Sequence, residues 1–316
     1  MQKNMVGEKL NWDDLRFFLE VARTRTASAA ARRLGVDYTT VSRRIRTLEQ
    51  SLGALLFEKS RSTGFTLTVE GQRLLGYAET LESTLLAACE QVSGTRQGLS
   101  GHLRIASTEA FGCWFVSTQM SGFLERYPHI SLDILPVPHF VSLSRREADI
   151  AITLERPERG PYVCSKLCDY RLRIYATPGY LAGHAPIHTR EDLADHPFVT
   201  YVDDLAFSSR LLYLNDLLPG ATSHLRSTSV IAQYHATLQG RAMAILPCFL
   251  AGPDQRLCEV LPDQVDIIRQ FWLSYSEDLR KLKRVTLAAE YLRACADINR
   301  PLLMGESSEM HYLAME

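Results

Sequence analysis

The sequence predicts an all-α N-terminal part followed by an α/β body. Between residues 14 and 52, apolar residues recur at helical spacing, interrupted by Gly35 and a short turn. From residue 102 onward, short β runs alternate with helical stretches, the pattern of an α/β domain with parallel sheets. The two parts also differ in charge. Residues 1–65 hold twelve Lys/Arg against seven Asp/Glu, although the whole chain of 316 residues carries a formal net charge of −1. A basic head on an acidic body suggests a phosphate-contacting module joined to something with another task. A chain this long exceeds one typical core, so two domains are expected.

The first helix is expected over 14–24, with Leu15, Phe18, Leu19 and Ala22 on its buried face. Ser28 is then expected to cap a short helix whose Ala29, Ala30 and Leu34 make a small, packable face. Gly35 stands where a helix end needs a residue tolerant of positive φ. Thr39 to Leu52 reads as a third helix, with Val41, Ile45, Leu48 and Leu52 as its apolar stripe and Gly53 at its end. Two short helices joined by a tight Gly-containing turn form the helix-turn-helix pattern, whose second helix lies in the major groove. The opposite face of that helix carries Thr39, Thr40, Ser42, Arg43, Arg46 and Gln50, donors suited to phosphates and base edges. Any amphipathic helix has a polar face, and the Ala-rich helix, the turn glycine and the charge asymmetry favour the nucleic-acid reading. Residues 55–68 then read as a β-wing whose basic tip presents Lys59 and Arg61.

From Glu70 to Val92 the pattern becomes one long helix. Leu74, Ala78, Leu81, Leu85, Ala88 and Val92 follow at alternating spacings of 4 and 3, a coiled-coil seam. Its place between head and body favours a dimerisation helix over a core helix. Residues 94–101 are Gly- and Ser-rich, a flexible hinge by composition. In the body, strands are expected at 103–107, 131–137, 149–153, 171–176, 198–201, 224–230, 242–247 and 270–275. Helices are expected over Trp114–Arg126, Arg190–Ala194, Ile231–Gln239 and Leu282–Ala296, with a less patterned tail at 301–316.

The stretch 26–75, TASAAARRLGVDYTTVSRRIRTLEQSLGALLFEKSRSTGFTLTVEGQRLL, resembles the LysR-type transcriptional regulators. The likeness continues through GHLRIAS, READIAIT, RLRIYATPGYL, DLADHPFVTY and GRAMAILPCFLA, so it spans nearly the whole chain. It implies a winged helix-turn-helix (1–69), a linker helix (70–93) and a two-subdomain effector domain (102–300) built like a periplasmic binding protein. Subdomain I would take about 102–171 and 275–300, and subdomain II about 172–274. It also implies self-association to a homodimer or homotetramer, a partly palindromic double-stranded operator and, for an activator, RNA polymerase. Ser28, Arg32 and Tyr38 join the recognition face and wing as candidate DNA contacts. Tyr38-Thr39 stands where the family often has Gln-Pro, which removes a preset helix start. The wing ends in LTVEG where LTEAG is more usual, with Thr68 still placed to cap the linker helix.

In open α/β sheets, ligands collect at strand C-termini and helix N-termini, where unpaired N–H groups favour anions. Ser107 and Thr108, Thr153 and Thr200 fall at such ends and match positions that line the family's effector cleft, with Ser229 and Gln233 after them. Hydroxyls at these places also bind their own backbone. The implied effector is a small organic anion. Phe111 and Trp114 are placed to wall an apolar part of a pocket or to pack in the core.

An enzyme is not expected, nor a cofactor. The chain has no Gly-rich phosphate loop, HExxH or GxSxG turn. Pro186 spoils any metal-binding helix face between His184 and His188, which read as a surface loop. The seven cysteines are odd in number and form no CxxC pair, and Cys164 and Cys168 invite only a weak redox reading. No apolar run reaches membrane-spanning length and no signal peptide is evident, so a cytoplasmic protein is expected. A free-standing solute-binding protein would explain the body but not the basic head.

Overall fold

The structure, a computed structural model, describes residues 11–60, 64–93, 99–136, 148–157, 160–219 and 221–314. Contacts divide the chain into two compact units, Met1–Arg96 and Gln97–Glu316.

The first unit packs three helices, a two-stranded wing and the start of a long helix around one core. Helix α1 (Trp12–Thr24) is capped by Asn11, whose side chain accepts from the Asp13 N–H at 3.0 Å. Helix α2 (Ala27–Leu34) is capped by Thr26, not Ser28. The extended backbone of Thr26 aims its hydroxyl at the Ala29 N–H, 3.2 Å away, while Ser28 sits exposed inside the first turn. Gly35 closes the helix in the left-handed region at φ 65°. Helix α3 (Tyr38–Leu52) buries Val41, Ile45 and Leu48 against Phe17, Phe18 and Val21 of α1 within one cluster. It starts one residue earlier than the sequence suggested, from Asp37, whose side chain makes no capping bond.

Strands β1 (Phe57–Ser60) and β2 (Gly64–Leu67) pair antiparallel to form the wing. Two contacts fix it to the helices. Glu49 Oε1 at the end of α3 accepts from the N–H groups of Leu56 and Phe57 at 2.9 and 3.2 Å. The Phe65 N–H donates to the Arg25 carbonyl at 2.8 Å, and a Cβ on Gly64 would stand 2.5 Å from that carbonyl oxygen. Helix α4 (Val69–Ser93) begins at Thr68, whose hydroxyl donates to Leu55 O at 2.7 Å and accepts from the Gly71 N–H at 3.0 Å.

The second unit is built on one mixed sheet in the order β4-β3-β5-β11-β6-β9-β7-β8, with β10 added to β6. At one end, β3 (Ser100–Ser107) runs parallel to β4 (His129–Pro136) and to β5 (Ile150–Thr153). At the other, β7 (Phe198–Thr200) runs parallel to β8 (Ser223–Arg226) and β9 (Met243–Pro247). Wholly parallel pairing fails at the centre. There β6 (Tyr162–Ala176) and β11 (Ile267–Ser276) cross antiparallel between the two halves, and the register shifts between Phe271 and Trp272. β11 stays on β6 along its length and pairs β5 on its other edge through Trp272–Tyr275, while the far end of β6 takes β9 and the short β10 (Cys258–Val260). Each half is thus an α/β lobe with its own parallel strands, joined by two shared strands.

Helices cover both lobes. Residues 109–126 form one continuous helix whose second turn, Phe111–Val116, is π-helical before α5 (Ser117–Arg126). The expected 190–194 helix is a 3₁₀ segment, Glu191–Asp195. Helices α6 (Pro178–Ala182), α7 (Tyr213–Leu217), α8 (Val230–Thr237) and α9 (Cys248–Ala251) follow, then α10 (Lys283–Ile298) and the single-turn α11 (Arg300–Leu303). The segment expected as a tail is docked. Buried Asn299 accepts from the His311 N–H at 2.7 Å and donates to His311 O at 2.9 Å, which also accepts from Gln119. Among the described residues, no helix is long and apolar enough to cross a membrane.

Candidate DNA-binding and effector sites

In the first unit, the helix-turn-helix sorts its arginines by task. Arg44 turns inward: Nη1 donates to the Oδ1 of buried Asp14 at 2.9 Å, and the guanidinium lies 5.5 Å from the Phe17 ring centre. Arg23 pairs with Glu82, tying α1 to α4, and Arg33 pairs with Glu20 at 3.0 Å. Arg32, Arg43 and Arg46 are exposed and make no ion pair among the described residues. With Thr39 and Gln50 they cover the solvent side of the turn and of α3, opposite Val41, Ile45 and Leu48. Tyr38, 53% exposed, stands in the first turn of α3, Ser28 is exposed on α2, and Thr40 is half-buried. The Ser42 hydroxyl is buried with no hydrogen-bond partner. Lys59 lies on β1, and Arg61 falls outside the described residues.

The seam expected along α4 divides in two. Ala78 is buried and Leu74 packs beside it, both within the core of the first unit. Leu81 and Leu85 stand 43% and 66% exposed, and Ala88 is also exposed.

In the second unit, a cavity of about 40 Å³ lies between the lobes. Its walls are aromatic: Tyr170, Tyr201, Phe207, Tyr213, Phe249 and Phe271. Tyr170 stacks on Phe271 at 4.2 Å and 12°, and Tyr201 meets Tyr213 edge-on at 6.1 Å. Thr108, Glu109 and Thr228 supply polar groups. Burial pushes the Tyr170, Tyr201 and Tyr213 phenols well above their ordinary range, and neighbouring Tyr170 and Glu109 raise Tyr201 further. These phenols stay neutral and act as hydrogen-bonding groups.

Glu109 is the first residue of the 109–126 helix, and its Oε1 accepts from Ser229 Oγ at 2.9 Å. Ser229 is also the N-cap of α8, accepting from the Ala232 N–H at 3.0 Å. One contact thus links the end of β3 in one lobe to a helix start in the other. Of the six hydroxyl and amide positions expected to meet an effector, Thr108 lines the cavity and Ser229 reaches it through Glu109. The other four lie off the cavity wall. Thr153 donates to Glu155 O at 2.7 Å, Gln233 donates to Ser227 O at 3.0 Å, and the Thr200 carbonyl accepts from the Ser227 N–H. Ser107 is buried, its hydroxyl unpartnered. Phe111 is a core ring against Phe115, Phe249 and Phe271, and Trp114 is 40% exposed, outside the cavity lining. Glu109 and the aromatic walls escape the sequence reading, because strand-end hydroxyls point to an anion and the aromatic residues lie on separate elements. The acid beside Ser107-Thr108 was the available signal.

A second, open groove of about 790 Å³ runs past Arg156, Arg210 and Arg269, with Glu155 and Asp216 among them. His184 stacks on Tyr180 at 4.0 Å and the His188 N–H donates to Asp192, so each has a local partner. Cys164 and Cys168 are free thiols four residues apart on a strand, a rise of roughly 13 Å that no disulfide spans. Burial pushes the Cys168 thiol up, as it does Cys248 (to about 11) and Cys295 (to about 12).

A winged helix-turn-helix with outward arginines, followed by a two-lobed α/β body that encloses a cavity, defines a ligand-responsive transcriptional regulator. Residues 12–72 match the bacterial regulatory helix-turn-helix proteins of the lysR family, and residues 96–296 match the LysR substrate binding domain. The chain belongs to the LysR family of transcriptional regulators, and is a regulator, not an enzyme. It is 30% identical over 261 residues to the HTH-type transcriptional regulator PtxR of Pseudomonas aeruginosa, covering 80% of this chain and 82% of that one. Against the Mau operon transcriptional activator of Paracoccus denitrificans the identity is 28% over 310 residues, covering 94% and 100%. The solved structure of CrgA, a LysR-type regulator from Neisseria meningitidis, superposes with a TM-score of 0.53 at 26% identity, covering 90% and 99%.

Proposed function

We propose that the protein binds a partly palindromic operator through paired α3 helices and that occupancy of the cavity between its lobes sets that binding. The observation that carries the DNA half is the contrast on α3, where Arg44 is consumed internally and Arg43 and Arg46 are left outward. Arg32 and the hydroxyls of Ser28 and Thr39 complete that surface, with Tyr38 at its edge and half-buried Thr40 beside it. Lys59 and Arg61 are further proposed contacts, and the buried Ser42 hydroxyl joins them only by turning outward. Leu81, Leu85 and Ala88 form the exposed part of a dimerisation seam on α4, which Leu74 and Ala78 continue into the head. Two such dimers make a homotetramer, and an activator of this kind meets RNA polymerase beside its site. The protein works in the cytoplasm, where its DNA is.

The effector domain is proposed to sense a small molecule rather than an oxidant, because the shifted thiols move up, away from the reactive thiolate. Thr108, with Ser229 acting through Glu109, belongs to the effector-binding set, and Ser107, Thr153, Thr200 and Gln233 support the strand and helix ends around it. Closure of the lobes on an effector changes head spacing and hence DNA bending. The test uses duplexes selected from a random library by the full-length protein. Removal of residues 1–92 is expected to abolish duplex binding, and retention of binding in that truncated chain sinks the reading.

A further inference from the structure

The cavity offers a carboxylate where an anionic effector would need a cation. Glu109 Oε1 already accepts from Ser229, so the hydroxyl that a ligand carboxylate would seek is bound by the chain's own acid. Glu109 opens one helix and Ser229 caps another, so two helix N-termini, each carrying partial positive charge, share this internal anion. An external carboxylate entering here would meet a like charge at close range. The second oxygen, Glu109 Oε2, is buried and has no hydrogen-bond partner among the described residues. Among the described residues no Lys or Arg lines the cavity, Arg269 acting on Tyr170 and Tyr213 from behind the wall, and the aromatic faces around it attract positive charge. A buried carboxylate oxygen without a donor is costly, and a ligand that brings the donor removes that cost.

We propose that the effector is a small organic cation, an amine on a short apolar stem, whose ammonium group donates to Glu109 Oε2 while the stem packs on Tyr170, Tyr201 and Phe271. The proposal rests on the reading of this cavity as the effector site. It replaces the anion expected from hydroxyls at strand ends. The volume of about 40 Å³ takes one or two heavy atoms, roughly, and Glu109 Oε2 has no surface on it, so the amine enters as the lobes part and the Glu109 side chain turns toward it.

The experiment is calorimetry and thermal unfolding of the full-length protein with matched probes at constant ionic strength: ethylammonium and propylammonium chloride, sodium acetate and propionate, and propionamide. The amines are expected to raise the melting temperature and to bind at least tenfold more tightly than the carboxylates or the amide. Glu109→Gln is expected to weaken amine binding at least tenfold, and Glu109→Asp, which keeps the charge, by less. Near-UV circular dichroism reports whether each variant keeps its packing, and the comparison of probes on the unsubstituted protein stands where a variant does not fold. Carboxylates that bind better than amines and are lost on filling the cavity with Thr228→Phe would overturn the cation while leaving the site in place. If neither series binds, the cation and the cavity as effector site fall together.

Discussion

Arg43 and Arg44 are neighbours on α3 with opposite tasks, and the sequence alone separates them only by helical phase. Arg43 is exposed and touches no acid among the described residues, so Arg43→Ala is expected to leave folding unchanged. It should cost about 1–3 kcal/mol of duplex binding, read as a roughly 5- to 150-fold rise in Kd. Arg44→Ala strands buried Asp14 and is expected to destabilise the head by about 1–3 kcal/mol in urea unfolding. Equal stability of the two variants would refute this division. In the body, His196 is buried, its Nδ1 2.9 Å from the Tyr180 hydroxyl, and burial, then the neighbouring His184, holds its pKa below the ordinary histidine value. The folded state therefore favours neutral imidazole over the unfolded state. The stability this gives is present above about pH 6.5 and is lost as pH falls through the depressed folded value. Melting temperatures of His196→Gln taken from pH 7.5 to 5 should decline less steeply than those of the unsubstituted protein. A parallel decline would locate the acid sensitivity elsewhere.

At the scale of elements, the helices of the head were legible because their apolar residues repeat at 3.6 spacing and glycines end them. Which hydroxyl capped α2 was not, since Thr26 and Ser28 are both cap residues and backbone conformation chose between them. Nor was the double task of α4. A seam spaced 4 and 3 reads as one continuous interface, yet its first residues bury themselves in their own head and its later ones face solvent. The two halves should therefore respond differently to charge. Leu81→Lys with Leu85→Lys is expected to shift the protein toward monomer in sedimentation while the head keeps its helical circular dichroism. Ala78→Lys, in a packed core position, should unfold the head itself. An oligomer that survives the paired lysine substitution would move the dimer interface off this face.

At the scale of the molecule, alternation of strands and helices gave the α/β class, but not the antiparallel centre. Charged residues interrupt both strands (Lys166, Asp169, Arg171 and Arg173 in β6, Arg269 in β11), so the sequence marks only 171–176 and 270–275. Only the folded chain places the full strands together as the shared pair between two lobes. The cavity was hidden for the same reason. Tyr170, Tyr201, Phe249 and Phe271 lie on different elements, each with the composition of a core residue, and they converge only when the lobes meet. Glu109 and Ser229, 120 residues apart, show the same limit, because a contact across lobes leaves no local spacing to read. Head and body each bury a core of their own, which sets a final expectation. Residues 97–316 expressed alone should unfold cooperatively, retain the alkaline sensitivity that buried phenols impose, and bind no duplex. That sensitivity has a defined sign. Burial raises the phenol values of Tyr201 and Tyr213, so stability is full below about pH 10 and is lost as pH rises beyond it, where the unfolded chain ionises first. Calorimetric scans between pH 8 and 11 test this. A body whose melting temperature holds constant across that range would mean that the phenols are not buried as a group, and with them would go the aromatic wall of the cavity.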